Sequence, residues 1–269
     1  MPKRRLPTTI NDLFELLQRL GVEPGMTLLV HSSLSSLGGW VCGGPVAVIL
    51  ALERAVGPEG TLVMPAHSGD LSEPSEWRNP PVPEAWWPII RETMPPFDLD
   101  LTPSWNVGVV AETFRKERGV LRSDHPQVSF TARGRHAREI TANHSLDLGL
   151  GEHSPLARIY DLAGYVLLLG VDYDRNTSLH LAEHRADFPS KRIVENASPI
   201  VVDGHRRWTH FRDINLDDGD FNEIGEAFEQ ETDLVRSHLY GLKPIRLMPQ
   251  RAVVDFAVEW MKTNRHGAR

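Results

Sequence analysis

The sequence predicts an α/β layered fold, and three stretches carry that prediction: VEPGMTLLVHSS, GPEGTLVMPAHSG and GYVLLLGVDYD. Each runs from a turn-forming glycine or proline into a short apolar run, the length and flanks of a strand buried on both faces. A helix-period segment over 45–56 separates the first two strands. Strand, helix and strand in succession imply a sheet covered by helices.

The elements follow in order. INDLFELLQRLG spaces Ile10, Leu13, Leu16, Leu17 and Leu20 as one face of a helix, with Asn11 as its N-cap and Gly21 as its stop. Strands are expected over 27–30 and 61–64, with His31 where the first one ends. From 68 to 104 the texture changes: prolines crowd the chain, and Trp77, Trp86 and Trp87 appear among them. Proline at that density interrupts both helix and sheet, and a disordered linker seldom carries tryptophan. This segment reads as a structured, lid-like insertion. NVGVVAETFRKE follows as a helix; LRSDHPQVSFTARGRHAREI reads as loop, strand and helix start; and 166–171 is the strongest core strand. A helix starts near Thr177 or Ser178, a β-like stretch covers 200–211, and VVDFAVEWMKT closes the chain as a helix. With no repeat and no linker, one domain over 1–269 is expected.

Bulk properties exclude several function classes. Asp and Glu number 36 against 29 Lys and Arg, so a nonspecific grip on nucleic acid is not expected, and an acidic cleft for a cationic ligand fits better. Cys42 is the sole cysteine, which rules out an internal disulfide and any multi-cysteine zinc site. MPKRRLP runs into TTINDLFELL without an apolar stretch of signal length, and no run is long enough to span a bilayer. The expectation is a cytoplasmic protein with no membrane partner.

NTSLHLAEHRAD contains H-x-x-E-H, a spacing used by zinc peptidases. On a helix, His180 and His184 would lie four apart on one face, with Glu183 as base for a metal-bound water. A catalytic zinc needs a third protein ligand, and no downstream acid stands out by context. The same residues work without metal, His180 serving as general base and Glu183 holding its other nitrogen. A buried, hydrogen-bonded His180 at a helix start is the third reading of this stretch.

The order of motifs separates these readings. VHSSLSSLG after the first strand, GTLVMPAHSG after the second, RSDHPQVSF with a following A-x-G, HSPLARIYDLAGYVLLLGV, and NTSLHLAE together resemble the aminoglycoside 3-N-acetyltransferase family. The resemblance runs from about Leu16 to Asp187 and continues more weakly through FNEIGEAF. It implies a three-layer α/β/α fold with a mixed central sheet, and acetyl transfer from acetyl-CoA to the 3-amino group of a 2-deoxystreptamine ring. The family's histidine and glutamate fall on His180 and Glu183, whereas His184 lies beyond the shared segment. No metal is therefore expected, and the partners are CoA and an aminoglycoside, bound by a monomer or homodimer. An acyl-CoA N-acyltransferase acting on another amine, a zinc hydrolase using His180 and His184, and a noncatalytic binding protein are the alternatives.

The resemblance assigns the serine loop, and the chemistry of the two ligands nominates the remaining site residues, with a structural role for the His-Pro turn at His125 as the alternative there. His31, Ser32, Ser33, Leu34, Ser35, Ser36 and Leu37, small and polar after a strand, are expected to carry the pantetheine and pyrophosphate arm of CoA. His125 and Ser129 are expected on the CoA side, and Thr177 and Ser178 among the oxyanion donors. A polycationic substrate calls for carboxylates. Asp70, Asp187, Asp213 and Glu223 are the expected substrate-binding residues, with Asp217, Asp218 and Asp220 as neighbouring candidates.

Overall fold

The structure, a computed structural model, describes residues 6–266. The basic start at 1–5 lies outside the described residues. Nine strands are described: β1 (Thr27–Ser32), β2 (Thr61–Pro65), β3 (Leu121–Arg122), β4 (Phe130–Gly134), β5 (Tyr165–Leu169), β6 (Ile193–Val202), β7 (His205–Ile214), β8 (Arg236–Tyr240) and β9 (Lys243–Pro249). The helices are α1 (Ile10–Leu20), α2 (Gly44–Val56), α3 (Trp87–Thr93), α4 (Gly108–Arg115), α5 (Ala137–Thr141), α6 (Pro155–Asp161), α7 (Ser178–Arg185), α8 (Phe221–Glu231) and α9 (Gln250–Asn264).

A seven-stranded sheet in the order β3-β4-β2-β1-β5-β9-β8 forms the middle layer. β1 runs parallel to β2 and β5, while the pairs β2/β4, β3/β4, β5/β9 and β8/β9 are antiparallel, so the sheet is mixed. The continuous apolar runs are explained by two cores. Leu28 and Val30 of β1 pack with α1, α2 and α4, whereas Leu29 packs on the opposite face with α5, α6, α7 and α9. β5 divides likewise, with Val166 and Leu168 on one face and Leu167 and Leu169 on the other. Residues alternate between faces of a strand, so a strand covered on both sides must be apolar throughout. This is the three-layer α/β/α arrangement.

Several boundaries differ from the sequence reading. Thr9, not Asn11, caps α1: its hydroxyl accepts from Asp12 N, and the Asp12 carboxylate accepts from Thr9 N, a reciprocal capping box. The β-like stretch at 200–211 is two long strands, β6 and β7, joined at Asp203-Gly204, both with positive φ. That turn geometry suits a tight hairpin. β8 and β9, which the sequence reading leaves unassigned, extend the sheet beyond β5.

The insertion at 68–104 is ordered by polar anchors, with Trp77 Nε1 donating to Ser72 Oγ at 2.9 Å and Arg91 pairing with Glu73 at 2.5 Å. The β6/β7 hairpin holds it from outside, through Phe97 N to Pro199 O and Arg206 Nε to Met94 O. Among the described residues, no helix is long and apolar enough to cross a membrane.

Candidate active site

β1, β2 and β5 all point their carboxyl ends the same way, and β1 lies between the other two. The chain leaves β1 toward β2 and returns later to β5 on the other side, which opens a crevice between diverging connections. A cleft of about 930 Å³ lies there. His31 and Ser32 at the end of β1, Pro65 and His67 after β2, and Gly170 and Val171 after β5 line it. At Gly170 (φ 74) a side chain would press on Ser36 Cβ and Ser33 O at 3.1 and 3.3 Å, so glycine lets β5 end close under the serine loop.

Helix starts converge on the same space. Gly44 at the start of α2, Gly108 at the start of α4, and Thr177 just before α7 all line the cleft. The first amides of a helix have no partners within it and carry partial positive charge, so these ends favour an anion. At Gly39 and Gly44 an added Cβ would meet nothing within 4 Å. Ser32, Ser33, Leu34, Ser35 and Ser36 line the cleft beside them.

α7 delivers the reactive pair. Asn176 Oδ1 accepts from Ser178 N at 3.2 Å and sets the helix start. One turn on, His180 Nδ1 lies 2.5 Å from Glu183 Oε2, which leaves Nε2 for the cleft that His180 lines. The ring packs on Phe221 at a centroid distance of 4.8 Å. Glu183 is wholly buried, and its Oε1 accepts from Asp217 N at 3.0 Å and from Arg265 Nη1 at 2.7 Å. A buried carboxylate with these donors has its orientation fixed, and through it the imidazole.

Two further histidines stand near His180. His31 Nε2 is 3.3 Å from Thr177 Oγ1, and burial first, then the neighbouring His180 and Arg175 charges, pushes His31 down to about 3. Burial likewise pushes His67 down to about 3, with His180 as the next cause. Both rings are therefore neutral at physiological pH, which leaves His180 as the imidazole equipped with a carboxylate partner.

Not every expected residue reaches the cleft. Leu37 is 2 % exposed and packs into the α1/α2 core. His125 Nδ1 accepts from Gln127 N and Val128 N, both at 3.1 Å, while its ring lies tilted against His144 and edge-on to Phe211. That ring closes the His-Pro turn inside the protein, outside the cleft lining. Ser129 Oγ donates to Ala66 O and accepts from Arg122 Nε, so it ties β4 to the end of β2. Ser178 faces inward and accepts from Gln250 Nε2. Asp70, Asp187 and Glu223 are exposed, outside the cleft lining. Asp213 is buried, where its carboxylate accepts from Gly149 N and Ile214 N. Among the acidic candidates Asp218 lines the cleft, together with Asp172 and Asp174; Asp172 is paired with Lys243 at 2.5 Å.

His184 also parts from His180. Its ring is buried against Gly151, with Nε2 3.3 Å from Asp213 Oδ1, and it does not line the cleft. Among the described residues, no group of three His, Cys, Asp or Glu is placed to hold a metal ion. Trp77, Trp86 and Trp87 lie outside the cleft lining, whereas Trp40 and Trp105, both well exposed, belong to it. His67, Trp40 and Trp105 escaped the sequence reading. His67 was within reach, since it follows a strand parallel to the one that ends at His31.

A model of the family described as aminoglycoside 3-N-acetyltransferase matches residues 29–262. The SPbeta prophage-derived aminoglycoside N(3')-acetyltransferase-like protein YokD of Bacillus subtilis (strain 168) is 46% identical over 96% of this chain and 94% of its own. Its crystal structure superposes with a TM-score of 0.93 over 97% of this chain and 95% of that one. Aminoglycoside N(3)-acetyltransferase VII of Streptomyces paromomycinus is 38% identical, over 95% of this chain and 92% of its own. The solved binary complex of AAC-IIIb with CoASH has a TM-score of 0.85 at 32% identity, covering 98% of this chain and all of that one.

Proposed function

The chain belongs to the aminoglycoside 3-N-acetyltransferase family, and from that membership we propose that it moves the acetyl group of acetyl-CoA onto the 3-amino group of a 2-deoxystreptamine ring, with His180 as base. We read residues 1–269 as one acetyltransferase domain. The observation that carries the mechanism is the 2.5 Å contact of His180 Nδ1 with buried Glu183, at the edge of a cleft of about 930 Å³.

Each ligand has matching chemistry in the cleft. CoA is polyanionic, and the helix starts at Gly44 and Gly108 with the Ser32–Ser36 loop supply amides and hydroxyls for its pyrophosphate arm. The aminoglycoside is polycationic, and Asp218 and Asp174 on the same cleft attract its amines.

An ammonium has no lone pair, so the incoming amine must shed a proton before it attacks the thioester carbonyl. His180 Nε2 takes that proton, and Glu183 holds the ring in the tautomer that leaves Nε2 free and compensates the imidazolium. The carbonyl oxygen gains negative charge as nitrogen bonds to carbon, and the Thr177 hydroxyl with the serine-loop donors stabilises it. Collapse of that intermediate breaks the carbon–sulfur bond and releases CoA as a thiolate, and the nitrogen gives up its second proton to that thiolate or to water, which leaves a neutral amide.

Incubation with acetyl-CoA, a thiol reagent and a panel of 2-deoxystreptamine aminoglycosides tests this. Thiol release with at least one of them, and product acetylated at the 3-amino group, is expected. No release above background with any of them overturns the substrate assignment. Release that persists in His180→Ala overturns the base assignment.

A further inference from the structure

The His180–Glu183 pair continues inward to a residue outside the family-model match. Arg265 follows α9, is 8 % exposed, and donates from Nη1 to Glu183 Oε1 at 2.7 Å. Its other edge grips Asp220 with two bonds, Nε to Oδ2 at 2.8 Å and Nη2 to Oδ1 at 2.5 Å, and Nη2 also donates to Asp217 O. Asp220 is 3 % exposed. The guanidinium lies over the Phe188 ring at 4.9 Å, which excludes water from that side.

Charge counting makes this more than an anchor. Glu183 and Asp220 set two buried carboxylates against one guanidinium, so the cluster carries one unbalanced negative charge while His180 is neutral. It becomes neutral when His180 takes a proton. A buried cluster resists net charge, since desolvation penalises it. We propose that Arg265 and Asp220 are positioning residues that set how readily His180 accepts the substrate proton, with Asp220 supplying the surplus negative charge and Arg265 limiting it. This rests on the reading of His180 as the base.

Other groups around His180 complete its surroundings. From β1 comes His31 and from just after β2 His67, both held neutral by burial. On α7 itself His184 is also held neutral, and on β7 Asp213 is buried behind it. Asp218 and Arg175 line the same cleft, and Lys191, whose ammonium binds His184 O and Ala186 O, interacts with Glu183. Besides His180, the charged side chain hydrogen-bonded to the Glu183 carboxylate is Arg265, and Asp220 is joined to it through that guanidinium.

The test is the titration of His180 in the intact protein, read by the imidazole NMR signals of the free enzyme and by the acid limb of kcat/KM. Asp220→Asn removes the surplus negative charge and should lower the His180 pKa; Arg265→Gln uncovers it and should raise it. Shifts of about half a unit to one unit are expected for charges one residue removed. A change that only loosens packing moves both variants in the same direction. Opposite shifts that appear in both readouts support the proposal; no shift, or shifts of the same sign, overturn it. Where Arg265→Gln does not fold, Asp220→Asn decides alone, with Arg265→Lys expected to keep a near-parental profile. The failure of the base assignment looks different, because His180→Ala would then keep its activity whatever these variants do.

Discussion

Helix α7 presents two histidines to two different regions, and their fates are opposite. His180 lines the cleft with one nitrogen committed to buried Glu183 and the other available. His184, one turn on, is enclosed beside Asp213 and Gly151, where burial pushes it down to about 4. Residue type is therefore a poor guide to role here. What separates them is whether the second nitrogen meets a ligand space or the protein interior, and whether the carboxylate partner is itself gripped by a cation, as Arg265 grips Glu183.

The sharpest way to break that comparison is to remove each ring in turn. His180→Ala should lower kcat by about 10²- to 10⁴-fold, the range of a lost general base. Its thermal unfolding should stay close to that of the parent, because the ring is at the cleft edge. An activity loss matched by a collapse in melting temperature would mean that His180 is a packing residue as well. Glu183→Gln should come next, with a loss of about 10²-fold through a misoriented or wrong-tautomer imidazole. It should also lower stability, since Arg265 keeps a buried charge with one partner fewer.

His184→Ala is expected to do the reverse, with kcat/KM nearly unchanged and a stability loss of about 1–3 kcal/mol from the vacated site beside Asp213. Measured by denaturant unfolding, that loss should depend on pH. The ordinary imidazole value is 6.5, and burial lowers His184 to about 4, so the unfolded chain takes up the proton first as pH falls. Stability from this group is present above about 6.5 and lost toward 4. His144, also lowered to about 4, and His31 and His67, lowered to about 3, steepen the same acid limb. Each contributes at most about 1.4 kcal/mol per pH unit. An unfolding free energy flat between pH 7 and 4.5 would contradict this burial. Activity and stoichiometric zinc that both disappear in His184→Ala would instead revive the zinc-hydrolase reading.

The sequence made the layered core legible because apolar runs in β1, β2 and β5 are a local property. His180 and Glu183 were legible because one helix turn contains both. What could not be read locally was direction. Leu37, His125, Ser129 and Ser178 sit in motifs that surround the cleft, yet each turns inward, because the side chains or carbonyls that satisfy them come from elsewhere in the chain. Arg265 shows the same limit from the other side, being 82 residues from the carboxylate it holds. The β6/β7 hairpin was half seen, since only its tight turn at Asp203-Gly204 distinguishes two strands from one.

The acidic segment after β7 repeats the lesson of α7, and it supplies the smallest expected effect. Asp213 is enclosed and binds backbone amides, whereas Asp218, five residues on, is exposed and lines the cleft. Asp218→Asn should raise the aminoglycoside KM about three- to tenfold with kcat little changed, the scale of one solvent-screened charge pair. The effect should shrink as salt is raised, because screening acts on exposed pairs. Asp70→Asn, which alters an exposed carboxylate outside the cleft lining, should leave KM as it was. Equal responses from the two variants would mean that the polycation senses only overall negative charge, and that the direction of a single carboxylate does not select it.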